Sequence, residues 1–289
     1  DSPHKIQRSI RLRSPLPLPR WLSLSRPHSL ALSCLNSHSM DSLELSVAVG
    51  SFAVHFILFE LLSGFGSSPD AQKLKACYLS HIHCATTLTS CIAYWLTYPV
   101  SLFSPEFMVQ GPAGFEMQWM RCTVSFSVGY FANDLVRMIQ HSSIGGADMI
   151  AHHIIIGGFF LTGLIDRCCT PYHFLFMIEE LSTPFLNLRW QYRAEKDSKV
   201  YAFCQAAFVI LFFICRILIG TGLVWFGGVV VLPSYILAQP SAIRQGHLIT
   251  QFTACTLSRF LNLYWLWKIY KIAAGGSYKK GHVDEDKVR

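Results

Sequence analysis

Charge is scarce in this sequence. Of its 289 residues only 14% are Asp, Glu, Lys or Arg, where an ordinary soluble domain carries about 25%. That shortage, beside 52% hydrophobic residues and a positive mean hydropathy, excludes a conventional water-facing surface. Paired cysteine motifs are also missing. Ten cysteines are present but no C-x-x-C pair, so zinc-ribbon and thioredoxin-type chemistry has no carrier. The histidine boxes H-x-x-x-H and H-x-x-H-H of membrane di-iron oxygenases are absent as well, and no metal is expected.

What remains is a succession of apolar runs. Seven approach the ~20 residues that cross a bilayer core: roughly 43–63, 76–98, 119–140, 149–165, 171–190, 202–226 and 247–270. The expected fold is therefore an all-α polytopic membrane protein, a bundle of about seven transmembrane helices, with six to eight open. The fourth run is short and the fifth is studded with polar groups. A further apolar piece, 229–239, contains Pro233 and reads as an interfacial or re-entrant loop. Cys84, Cys91, Cys122, Cys204, Cys215 and Cys255 fall inside the runs, where cysteine acts as a small hydrophobe.

Residues 1–39 differ from the rest, with six basic residues, nine serines, five prolines and a single acid. They read as a disordered leader, either translated upstream sequence with Met40 as the start or a transit-like segment. Residues 40–272 form the transmembrane domain, and 273–289 a cytosolic tail. Basic residues distribute thirteen to three between alternate sides. Lys73, Lys75, Arg137, Arg189, Arg193, Lys196, Lys199 and the six from Lys268 onward face only Arg121, Arg167 and Arg244. The positive-inside bias places the C-terminus in the cytosol.

Polar groups inside the runs converge in depth. At ~1.5 Å per residue, His83, Asp134, His152, His153, Glu179 and Glu180 fall in the cytosolic half, with Arg216 and Arg259 nearer the midplane. Ionisable groups at such depth usually face a bundle interior or a water-filled cavity. In EELSTPFLNLRW (179–190), Glu180, Thr183, Pro184 and Asn187 share one helical face. Carboxylate, hydroxyl and amide together line a cavity rather than lipid, and Pro184 should kink the helix.

The adjacent pair His152–His153 has two readings. One imidazole serves as general base or proton shuttle, oriented by Glu180; or both hold the bundle together through interhelical hydrogen bonds. Asp134 and Arg137 are spaced to pair with each other. Arg216 and Arg259 are placed as counter-ions for the acids or as phosphate or carboxylate binders. His55 reads as a packed histidine, and of His81 and His83 one points inward.

GYFANDL (129–135), AHH (151–153), EELSTPFLNLRW (179–190), Arg216 within ICRI and LNLYWLWKIYK (261–271) together resemble the TLC-domain family. The likeness extends over about 43–272 and is most like the small TLC-domain-containing proteins of the transmembrane-protein-56 type. It implies a polytopic helical bundle in the endoplasmic reticulum or another endomembrane, engaged in lipid metabolism, sensing or trafficking. In the family's ceramide synthases an H-H pair precedes an H-D-x-x-D motif. Here His152 and His153 match the pair, Glu180 stands at the first aspartate, Glu179 at the later histidine, and Thr183 at the second aspartate. One carboxylate is kept in longer form and one is lost.

The function expected is lipid homeostasis, with a lipid or acyl chain bound in a polar, cytosol-facing pocket. The alternative is a lipid acyltransferase of the ceramide or sphingolipid kind. It would use His152 or His153 as base with Glu180, acyl-CoA as co-substrate, and His83, Asp134, Glu179, Thr183, Asn187, Arg216 and Arg259 around the substrate. No bound cofactor and no nucleic acid are expected. The partners are membrane lipids, with homo- or hetero-oligomers left open. A seven-span receptor is the most distant reading, since the polar face opens cytosolically.

Overall fold

The computed structural model describes residues 40–98, 107–108, 111–236 and 241–274; the leader 1–39 and the tail beyond 274 lie outside the described residues. Helices α1 (Ser42–Leu61), α2 (Pro69–Thr97), α3 (Gly114–Gln140) and α4 (Ala147–Ile165) follow the first four apolar runs. The fifth run is a composite rod of α5 (Thr170–Phe176), a tight 3-10 stretch (Met177–Ser182) and α6 (Thr183–Gln191). The sixth contains α7 (Lys199–Leu211) and α8 (Gly220–Phe226), each followed by wide π turns, and α9 (Ala242–Ala273) is the seventh. No strand occurs among the described residues. The chain is an all-α membrane protein.

Three helical stretches are long and apolar enough on their own to cross a membrane: Ser42–Phe65, Ala147–Ile165 and Lys199–Pro233. The short fourth run, at 19 residues, reaches about 28 Å, close to a ~30 Å hydrocarbon core. The remaining rods match it in length but carry polar side chains, and those side chains turn inward. Phe203, Ile210, Leu218, Phe260 and Leu263 are exposed, whereas His83, Asn133, Glu179, Arg216 and Arg259 are buried. Apolar outside and polar inside is the arrangement lipid solvent demands.

Local chemistry sets the rod ends. Ser68 accepts the Ala71 N–H at 3.1 Å and Pro69 occupies the first turn of α2. Ser198 accepts the Tyr201 N–H at 3.1 Å to start α7. Both are ordinary N-caps. Pro184 cannot donate to the turn before it. The chain tightens there to 3-10 geometry, and Pro184 falls in the first turn of α6, where its missing N–H costs nothing.

The expectation of a loop over 229–239 is corrected. Residues 227–236 continue the sixth rod as π turns with Pro233 inside, and 237–239 lie outside the described residues. Within lipid, a helix recovers the backbone groups freed by proline through such local π adjustment rather than by unravelling.

Close packing fixes α1 against α3. A side chain at Gly129 would run into the Ala48 carbonyl and Ser51, so the backbones meet at a small residue. Ser51 donates to the Phe126 carbonyl at 2.7 Å. His55 sits beside Phe126 and Tyr130 with Nδ1 2.7 Å from the Ser51 carbonyl, a packed histidine as read from the sequence. At the opposite end of α3, buried Arg121 pairs with Glu44 and donates to the Leu164 carbonyl at 2.8 Å, joining α1, α3 and α4.

Candidate functional site

A cavity of about 420 Å³ opens at the end of the bundle where α3, α6 and α9 terminate and α2 and α4 begin. Of the residues singled out in the sequence it brings together Asp134, His152, His153, Glu180, Thr183, Asn187 and Arg216. Met138, Phe208, Phe212 and Ile269 supply apolar wall. The predicted polar face of α6 does look into this space, and Asn187 is fixed there by donating to Ser80 Oγ at 2.9 Å.

The two histidines take different roles. His153 Nδ1 lies 2.9 Å from the Met149 carbonyl and Nε2 lies 2.9 Å from Asp134 Oδ2. Both ring nitrogens therefore face acceptors, and the ring bridges the Met149 carbonyl and the Asp134 carboxylate. His152 has no hydrogen-bond partner among the described residues. It lines the cavity with its ring 5.1 Å from Trp265 and 5.5 Å from His153. Adjacent positions on a helix point about 100° apart, so α4 gives one imidazole to α3 and the other to the cavity.

The carboxylate beside the histidine pair is thus Asp134 and not Glu180. Glu180 Oε1 lies 3.5 Å from Arg216 Nη2, and its Oε2 accepts from the Cys84 thiol at 3.5 Å. The expected Asp134–Arg137 pairing is likewise absent. Arg137 lies 2.8 Å from Glu60 on α1, with its guanidinium over Phe56 and Phe59. Positions three apart on a helix differ by about 60°, enough for α3 to offer Asp134 to α4 and Arg137 to α1.

Below the cavity floor lies a charge network. Arg216 Nε and Nη2 donate to Ser182 and Thr183 hydroxyls at 3.2 Å each, and its Nη1 is 3.8 Å from Glu179. Glu179 is held more closely by Arg259 at 2.5 Å and by Asn262 at 3.2 Å. Arg259 also donates to the Arg216 carbonyl at 2.8 Å, capping a backbone acceptor in the π segment. Gly220 packs where a Cβ would displace this Arg259–Glu179 contact. Two acids and two guanidiniums thereby neutralise one another in the bundle interior. The counter-ion reading of Arg216 and Arg259 describes this arrangement.

His83, Glu179 and Arg259 stand apart from the main cavity. His83 and Glu179 line a second space of about 20 Å³ reached by His152, Glu180 and Arg216 from above, roughly room for one water. His83 Nε2 is 3.0 Å from Ser127 Oγ and its ring stacks on Tyr130 at 4.0 Å. His81, its near neighbour, points elsewhere and meets Gln191 at 3.3 Å. His83, Cys84 and Glu180 bring potential ligand atoms within 4.8 Å of one another. Arg216 on the same Glu180 carboxylate opposes a dication there.

Some cavity residues were not singled out as site residues in the sequence, although Tyr130, Ser182 and Trp265 lie within the family-like stretches. Lys73, Ser80, Tyr130, Ser182 and Trp265 all line the cavity. Asp148 accepts from Trp265 Nε1 at 2.9 Å and from Lys268 at 2.8 Å, tying the start of α4 to the end of α9 along one wall. The i, i+3 spacing of Trp265 and Lys268 marks a shared helical face, though not its partner.

Comparison with known proteins places these residues in a wider group. The family model described as the TLC domain matches residues 74–271. TLC domain-containing protein 4-B of Danio rerio is 26% identical over 266 residues, covering 82% of this chain and 92% of that protein. TLC domain-containing protein 4 of Xenopus tropicalis is 27% identical over 187 residues, 57% of this chain and 67% of its own length. TLC domain-containing protein 2 of Mus musculus is 30% identical over 91 residues, 31% and 29% of the two chains.

Proposed function

For this chain, which belongs to the TLC domain family, we propose a role in lipid homeostasis through binding a lipid or acyl chain in the 420 Å³ cavity. The family is membrane-associated and linked to lipid metabolism. The observation that carries the reading is the composition of the cavity wall. Phe208, Phe212, Met138 and Ile269 can hold hydrocarbon, while Asn187 and Thr183 offer polar contacts to a headgroup. Ligand pockets combine a mostly apolar lining with a few placed polar groups in this way. The reading extends to an endomembrane, with the cavity mouth and C-terminus on the cytosolic side as the basic residues suggest.

One observation favours acyl transfer as a second reading. His152 faces the cavity with neither ring nitrogen engaged by a described residue, as a general base requires. In that reaction His152 takes the proton from an amine or hydroxyl acceptor. The acceptor's heteroatom bonds to the thioester carbonyl carbon of acyl-CoA, the C–S bond breaks, and the departing thiolate takes the proton back. Asp134 acts through His153, and Glu180 through Arg216, rather than on the base itself.

The test is lipid profiling of cells lacking the protein, rescued with the wild type, His152→Ala or Asn187→Leu at matched membrane abundance. Binding alone predicts that His152→Ala restores the lipid profile, while Asn187→Leu, which replaces the amide contact to the headgroup by an apolar group of the same shape, does not. Acyl transfer predicts that neither restores it. Rescue by both variants would remove the cavity from the function.

A further inference from the structure

Among the described residues, every acid that faces the cavity is already matched. Asp134 is held by His153, Glu180 is held by Arg216, and Lys268 on the wall is held by Asp148. Two cavity-lining cations are matched, among the described residues, only by neutral groups. Lys73, in the first turns of α2, donates to the Ile144 carbonyl. Arg189, in the last turn of α6, donates from Nε to Gln205 Oε1 at 3.1 Å and lies 5.9 Å from the Tyr201 ring. A basic residue that merely snorkels would send its charge outward past the helix end. Both of these instead border the cavity, on separate helices.

Resting on the lipid-binding reading above, we propose that the cavity selects a phosphate-bearing acyl lipid drawn from the membrane. Its phosphate sits at Lys73 and Arg189 and its chain lies along Phe208, Phe212 and Ile269. A phosphate suits this pair because it offers oxygens to two donors at once, an ammonium point charge and a planar guanidinium fork. The excess positive charge also disfavours a cationic headgroup in the same place.

The experiment uses the purified full chain in uncharged maltoside micelles with a fluorescent diacylglycerol as reporter. Unlabelled phosphatidic acid and diacylglycerol with matched chains compete for the site, and the ratio of their displacing concentrations is read. The ratio should favour phosphatidic acid about tenfold or more in the wild type. It should fall to about one in Lys73→Gln/Arg189→Gln, which keeps side-chain donors but removes both charges, and should persist in Lys73→Arg/Arg189→Lys. Equal competition in the wild type, or a preference that survives in the double Gln variant, overturns the proposal while leaving lipid binding intact. Displacement by acyl-CoA but not by phosphatidic acid overturns it in favour of a soluble thioester. Failure of both this reporter and a fluorescent phosphatidic acid to bind the wild type removes the lipid-binding reading itself.

Discussion

At the scale of single residues, the account turns on the unequal histidines. His153→Ala leaves Asp134 in a nearly closed environment without its partner and should destabilise the chain by about 3 kcal/mol. His152→Ala removes a ring with no polar partner among the described residues, and should cost less than His153→Ala, since it loses only packing against Trp265 and Phe131 and leaves no charge unpaired. Unfolding titrations of the two variants in mixed micelles decide this, and equal losses would mean that the two imidazoles share one structural duty. The buried pair beneath them permits a second check. Glu179→Gln and Arg259→Met should each destabilise by about 3 kcal/mol. The double variant should be less damaged than the sum, with a coupling above about 1 kcal/mol in a double-mutant cycle. Additive losses would indicate that the two charges are stabilised by other neighbours.

At the scale of elements, the α1–α3 contact is the most exacting. Gly129→Val places branched carbon against the Ala48 carbonyl, a backbone atom that cannot rotate away. A loss of about 2–3 kcal/mol is expected, read as lowered thermal stability of the solubilised chain; an unchanged midpoint would refute this packing. Pro184→Ala should by contrast change stability by less than about 1 kcal/mol, since the proline stands in a first turn where its N–H is not needed. The helices themselves were legible from their apolar runs, because a bilayer sets span length and polarity directly. The polar face Glu180–Thr183–Asn187 was legible for a similar reason, as helical periodicity is local. The assignment of Asp134 to His153, and of Arg137 to Glu60, was not. Both depend on which neighbouring helix each face of α3 meets, and no spacing within α3 encodes that. The continuation through Pro233 was also hidden, because proline signals a break in water and a π adjustment in lipid.

At the scale of the whole molecule, the charges divide the bundle into three levels. Glu44 and Arg121 lock one end, the Glu179–Arg216–Arg259 group locks the middle, and the other end opens into a lined cavity whose wall carries the His152 imidazole, without a hydrogen-bond partner among the described residues. Locked levels hold the helices in place around the open end, where the proposed lipid would bind. The measurement that tests this most directly is photocrosslinking of the full chain in membranes with a lipid bearing a diazirine on its acyl chain, followed by peptide mapping. The account predicts adducts at cavity residues such as Met138, Phe208, Phe212 and Ile269, lost on competition with unlabelled lipid and in Asn187→Leu. Adducts confined to the outer surface, at Phe203, Ile210 or Leu263, and insensitive to competition would contradict it.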